Sequence, residues 1–146
     1  MAINRSATAY WKGTGKEGSG TVSTTSGVLE HTPHSFHTRF VSEDGLAGTN
    51  PEELIAAAHA SCFTMKMSFV LNAAGYTADN LECTATVRMD KVGEGMGVVG
   101  IHLALKARVP GITEEKFQEC AANAKENCPI SQLLKSVPIT LLATLA

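Results

Sequence analysis

The chain has 146 residues, of which 44% are hydrophobic and 18% charged. That is one ordinary domain, residues 1–146, with enough apolar side chains for a core, and it excludes wholesale disorder. Twelve basic and 14 acidic side chains leave a formal net charge of −2, without the basic excess that non-specific nucleic-acid binding requires. No stretch reaches about 18 uncharged apolar residues, so no membrane-spanning helix is expected. The N-terminus, MAINRSATAYWKG, lacks the apolar segment of a secretory signal. The expected location is therefore the cytoplasm, where structural disulfides are disfavoured.

The first forty residues are rich in Gly, Ser and Thr and carry Tyr10, Trp11, Val22, Val28, Leu29, Phe36 and Phe40. This composition predicts short β-hairpins, with Gly13, Gly15, Gly18 and Gly20 in the first turn and Ser26-Gly27 in the second. Residues 49–75 read as a helix. Asn50 stands at its N-cap, Pro51 at the first helical position, Glu53 at the capping-box position and Gly75 at the C-terminal stop. Its body, LIAAAHASCFTMKMSFV, has Lys66 as its only charged member, which predicts burial on several sides. The small residues Ala56, Ala57, Ala58, Ala60 and Ser61 allow another backbone to approach closely.

Two strands follow. Leu81, Cys83, Ala85, Val87 and Met89 alternate with polar residues, and Val99, Ile101, Leu103, Leu105, Ala107 and Val109 alternate with Gly100, His102, Ala104, Lys106 and Arg108. Gly93, Gly95 and Gly97 lie between them, making a long hairpin. Thr113 caps a helix to about Asn127, with Phe117, Cys120, Ala121 and Ala124 as its apolar stripe. The chain breaks at Asn127-Cys128-Pro129, Pro129 opens a short helix, and PITLLATL reads as a last strand. The order predicts an α+β fold, antiparallel β-sheets packed on a long buried central helix.

None of the four cysteines forms a C-x-x-C pair or a zinc-type cluster. Cys83 and Cys120 fall on apolar faces, where a thiol is inert core. For Cys62, an all-apolar helix suggests core. Yet His59 three residues back and Lys66 four residues on share its face, and a cation there favours the thiolate. Cys128 precedes a helix-opening proline, where the positive end of the helix dipole lowers a thiol pKa; the plainer reading is an N-cap.

The run GTNPEELIAAAHASCF, the later NCPISQLLK and the upstream HSFHTRF together closely resemble the OsmC family, the osmotically inducible protein C group. Its other main branch is the organic hydroperoxide resistance proteins. The resemblance extends from about residue 21 to Leu134. It implies a thiol-dependent peroxidase that reduces organic hydroperoxides, and hydrogen peroxide less efficiently, with two cysteines and no metal, flavin or other cofactor. It implies Cys62 as the peroxidatic thiol, Cys128 as the resolving thiol, Arg39 as the arginine against the reactive sulfur, and Glu52 as the acid holding that arginine. It also implies a Cys62–Cys128 disulfide, restored by a dithiol of dihydrolipoyl type. Glu53 is the alternative to Glu52, but the capping box claims it. The only arginine near the N-terminus, Arg5, lies in a polar setting, which favours the OsmC branch.

Glu52 and Cys62 are ten residues apart on one helix, about 15 Å along its axis. One arginine cannot easily touch both within a single chain. Two copies of the helix packed antiparallel bring Glu52 of one near Cys62 of the other. An intertwined homodimer with shared sites is therefore expected, as the resemblance also implies. Phe63, Met65, Met67 and Phe69 are candidate apolar lining for a hydroperoxide pocket, or simply core. Three other readings remain: a Cys/His hydrolase using Cys62 and His59; a non-enzymatic binding or structural dimer; and metal binding by His31, His34 and His37, for which solvent exposure is the plainer account.

Overall fold

In the computed structural model, which describes all 146 residues, the chain folds as two compact units, Met1–Leu54 and Ile55–Ala146. The N-terminal unit is built on a three-stranded antiparallel sheet of β1 (Ala7–Lys12), β2 (Ser19–Thr24) and β3 (Thr32–Ser35), in that order. The glycine-rich segment makes the first turn as expected, except that Gly20 lies inside β2. There it pairs with Trp11 and His34, and an added Cβ would collide with the Tyr10 carbonyl and stand 2.7 Å from His34 Nε2. Close backbone approach, not turn geometry, is what requires glycine at that position. Gly27 does sit in the second turn, with φ of 76°. A π-helical turn, His37–Val41, follows β3.

Helix α1 runs Pro51–Ala73. Asn50 Oδ1 accepts from the Glu53 N–H at 2.8 Å, satisfying one of the free N–H groups of the first turn. In the C-terminal unit β4 (Asn80–Val92) and β5 (Gly95–Arg108) form the long antiparallel hairpin, with an irregularity between Arg88 and Met89. Then come α2 (Glu114–Asn127), α3 (Pro129–Leu133) and β6 (Ile139–Leu145). The Thr113 hydroxyl accepts from the Lys116 N–H and caps α2. β6 pairs with β5 in parallel, so this sheet, β4-β5-β6, is mixed where a purely antiparallel one was expected. The two helices between β5 and β6 carry the chain back to the starting end, and such a crossover makes the strands parallel.

Phe63, Met67 and Leu71 of α1 join Ile101, Leu103 and Leu105 of β5 and Phe117, Ala121 and Ala124 of α2 in one core. Full burial of a side chain such as Phe63 or Leu71 contributes about 1.5–3 kcal/mol.

Burial of α1 is one-sided within the chain. His59, Phe63, Met67 and Leu71 are buried, while Met65 and Phe69 remain 63% and 66% exposed. The spacing of the buried four is one helical stripe, and Cys62, Val70 and Ala74 flank it, partly buried against the same core. The expected exclusion of a spanning helix also needs correcting, because α1 is long and apolar enough by length and composition to cross a membrane. Lys66 breaks the uncharged run without lowering the average enough. The core stripe is the pattern of a helix packed on a sheet.

Candidate active site

The sequence-selected residues fall into two clusters, one in each unit. In the N-terminal unit the π-helical turn presents Arg39. Its Nε and Nη2 donate to the two carboxylate oxygens of Glu52, at 3.2 and 2.8 Å. A planar fork on a carboxylate fixes both position and orientation of the guanidinium. Glu53 does something else: it accepts from the Thr49 hydroxyl at 2.7 Å.

The turn beneath Arg39 is held by hydroxyls. The Ser35 N–H donates to Thr38 Oγ1, the Thr38 N–H donates to Ser35 Oγ, and Thr38 Oγ1 also lies 3.1 Å from the Thr49 carbonyl. These bonds join the turn to the start of α1. The Ser-x-x-Thr spacing of residues 35–38 is the local signal for this support. Arg39 stacks over Phe40, 5.0 Å from the ring centre. A cavity of about 260 Å³ opens beside it, lined by Trp11, His34, Phe36, Phe40, Thr49 and Asn50 among others.

In the C-terminal unit α1 presents Cys62, and the break between α2 and α3 presents Cys128. The Cys128 thiol lies 3.1 Å from Cys62 Sγ. Both are free thiols; Cys62 is partly buried and Cys128 wholly so. Cys128 ends α2 and stands at the N-cap of α3, with extended backbone and no side-chain capping bond. Its sulfur lies against that of Cys62, which accepts from the Ile130 N–H in the first turn of α3.

Burial, and then the neighbouring Cys128 thiol, push the Cys62 pKa up. The Ile130 N–H on its sulfur and the Lys66 ammonium pull the other way. Burial wins within this unit, so a cation stronger than the half-buried Lys66 is needed to make Cys62 a thiolate at neutral pH. Cys83 is pushed up to about 11, mainly by burial, and Cys120 is also raised by burial. Both behave as unreactive core thiols.

His59 is not paired with Cys62. Its ring is fully buried, and Nε2 lies 2.8 Å from Ser131 Oγ on α3. Burial lowers its pKa, which keeps it neutral. A base committed to Ser131 leaves the hydrolase constellation without its Cys–His hydrogen bond. Ser131 itself escaped the sequence reading, although it stands one turn beyond Cys128. Of the suggested pocket residues, Phe63 and Met67 are core, and Met65 and Phe69 are on the exposed side of α1. His34 packs against Trp11, with ring centres 5.3 Å apart, while His31 and His37 are exposed. No three His, Cys, Asp or Glu side chains converge as a metal site would require.

Residues 42–142 match the family model described as OsmC-like protein. The chain is 47% identical over 136 residues to the peroxiredoxin OsmC of Escherichia coli K12, covering 93% of each chain. It is 33% identical over 98 residues to an organic hydroperoxide resistance protein of Xanthomonas axonopodis, covering 64% of this chain and 66% of that one. Among solved structures, OhrB, an organic hydroperoxide resistance protein of Bacillus subtilis, superposes with a TM-score of 0.66 at 25% identity, over 97% of this chain and 98% of that one. An OsmC-like protein of Vibrio cholerae shares the fold with a TM-score of 0.74 at 19% identity, over 97% and 99%.

Proposed function

Because this chain belongs to the OsmC family, we propose that it is a thiol-dependent peroxidase reducing organic hydroperoxides, and hydrogen peroxide less efficiently, to alcohol or water. The observation that carries this reading is the 3.1 Å approach of the Cys62 and Cys128 sulfurs. Two free thiols from distant parts of the chain meet there, with one partly open to solvent.

The Cys62 thiolate attacks an oxygen of the O–O bond. The S–O bond forms, the O–O bond breaks, and the alkoxide leaves and takes a proton as alcohol. Cys62 becomes a sulfenic acid. Cys128 then attacks that sulfur, the S–O bond breaks, and water departs as the Cys62–Cys128 disulfide forms. An external dithiol, of dihydrolipoyl type in this reading, is oxidised as it returns both cysteines to thiols.

The first step needs anionic sulfur. An ordinary thiol of pKa ~8.5 is only about 3% ionised at pH 7, and burial reduces that for Cys62. A guanidinium brought to the sulfur reverses the balance and also stabilises the charge gathering on the leaving oxygen. Arg39, oriented by Glu52, is the group assigned to this task. Glu52 and Cys62 lie about 15 Å apart along the axis of α1, so the arginine that serves Cys62 comes from a second copy of the chain. The exposed stripe of Ala58, Ser61, Met65 and Phe69 supplies the face on which two copies of α1 pack antiparallel. The functional molecule is thus a homodimer in which each chain acts as one domain, α1 running from the first unit into the second. The reducing cytoplasm suits a thiol pair that must be reset after every turnover.

The deciding experiment is consumption of tert-butyl hydroperoxide by the purified protein with a dithiol, comparing wild type with Cys62→Ser. Peptide mapping follows after one equivalent of peroxide. The reading expects turnover that Cys62→Ser abolishes, and a Cys62–Cys128 linked peptide in the wild type. Equal consumption by both proteins, or no linked peptide, overturns it.

A further inference from the structure

We propose that His59 and Ser131 are a positioning pair that holds Cys128 against Cys62 for disulfide formation; the inference rests on the peroxidase reading above. His59 precedes Cys62 by one turn of α1, and Ser131 follows Cys128 by one turn of α3. The 2.8 Å bond between His59 Nε2 and Ser131 Oγ therefore runs beside the sulfur pair as a second link between the same two elements. Apart from the sulfurs, it is the side-chain hydrogen bond that joins α1 to α3.

α3 needs such a link. It has five residues and no side-chain cap, too short to be stable by its own hydrogen bonds. Gln132 ties it to the Glu126 carbonyl at the end of α2, and the Ile130 N–H on Cys62 Sγ ties it to α1 only through the reacting sulfur itself. His59 is 0% and Ser131 5% exposed, and a polar pair at that depth is retained only with its partner in place.

The chemistry makes the spacing matter. When Cys128 attacks the sulfenic acid, an S–S bond forms, the S–O bond breaks, and hydroxide leaves with the Cys128 proton as water. A displacement of about 1 Å in a reacting pair costs on the order of a hundredfold in rate. The competing fate of a sulfenic acid left waiting is further oxidation by peroxide to sulfinic acid. The pair thus acts on the second step and on resistance to overoxidation, and leaves the first step alone.

The test follows two rates after one equivalent of cumene hydroperoxide: appearance of sulfenic acid, trapped by dimedone, and appearance of the Cys62–Cys128 disulfide. In Ser131→Ala the first rate is expected to match wild type. The second is expected to fall about tenfold or more, with more sulfinic acid at higher peroxide. Ser131→Thr, which keeps the hydroxyl, is expected to restore it. The double variant His59→Phe/Ser131→Ala removes both polar partners, leaves no orphan and preserves the fold; its disulfide step is expected to stay slow. Condensation at the wild-type rate in the double variant overturns the inference. The peroxide-independent arm is equilibrium with a dithiothreitol redox buffer. There Ser131→Ala is expected to lower the disulfide equilibrium constant about tenfold, and an unchanged constant overturns the pairing. A wild type that forms the disulfide in this buffer but not with peroxide removes the peroxidase reading and leaves the pairing standing.

Discussion

Cys128 Sγ lies 3.1 Å from Cys62 Sγ although 66 positions separate them in the chain. No backbone element joins the two directly. α1 brings one, the α2–α3 break brings the other, and the core under β5 sets their separation. A bond between them closes with little movement. Cys128→Ser is therefore expected to keep a full first turnover of hydroperoxide and to lose the linked peptide. Stopped-flow peroxide consumption with one equivalent, followed by intact mass, reads both effects. Loss of the first turnover would count against a resolving role.

The Arg39–Glu52 fork gives a prediction with a defined sign. Burial raises the Cys62 pKa within its own unit, and in the proposed dimer the guanidinium of a second copy's Arg39 offsets this. Removing that cation moves the pKa up, so less thiolate is present at any given pH near neutrality. Arg39→Ala is expected to shift the pH profile of Cys62 alkylation to higher pH and to slow peroxide reduction by about 10²–10³-fold. Glu52→Gln, which keeps the shape but loses the charge, is expected to fall between. An alkylation profile that does not move refutes the assignment.

The open face of α1 can be charged without touching the core. Met65 is 63% exposed and Phe69 66% exposed, so Met65→Glu leaves the buried stripe unchanged. In a dimer packed through this face, each copy meets a carboxylate in an apolar contact, which is unfavourable unless it is paired. Sedimentation is expected to show a monomer for Met65→Glu at concentrations where wild type is a dimer, with peroxide activity lost in parallel. A fully active monomer excludes the shared site.

His59 makes acid sensitivity specific. Its folded pKa lies below the ordinary value of 6.5, through burial alone. Above that value both folded and unfolded forms are neutral and stability is full. As pH falls below it the unfolded chain takes the proton first, and stability is lost down to the folded pKa. Tm measured from pH 7.5 downward, a range chosen to bracket the ordinary histidine value, is expected to fall for wild type. It should fall less steeply for His59→Phe/Ser131→Ala.

The period-two strands and the capped helices are legible because each is a local pattern. Leu81–Met89 and Ile101–Val109 alternate in a way that only a sheet satisfies. Asn50 and Thr113 carry their caps as side-chain bonds. The roles of Cys62 and Cys128 rest on a family likeness, since spacing alone leaves Cys62 open to a core reading and Cys128 to an N-cap reading. What the sequence withheld depends on tertiary partners. Helical spacing allows His59 to serve Cys62 as a base, and only the fold shows its Nε2 committed to Ser131. The helix reads as uniformly buried because composition cannot say which stripe meets the core and which stays exposed. The parallel pairing of β6 depends on where the α2–α3 crossover delivers the chain, and no short pattern records that.

In the proposed cycle, the unequal exposure of the two sulfurs sets how the thiols are regenerated. Cys128 is sealed at 0% while Cys62 remains partly open. An incoming reductant thus has only one sulfur of the disulfide to attack. It becomes tethered to Cys62 as a mixed disulfide, and Cys128 is the leaving group released into the interior. On that proposal, the regiochemistry of regeneration follows from the burial of a single residue at the junction of two helices.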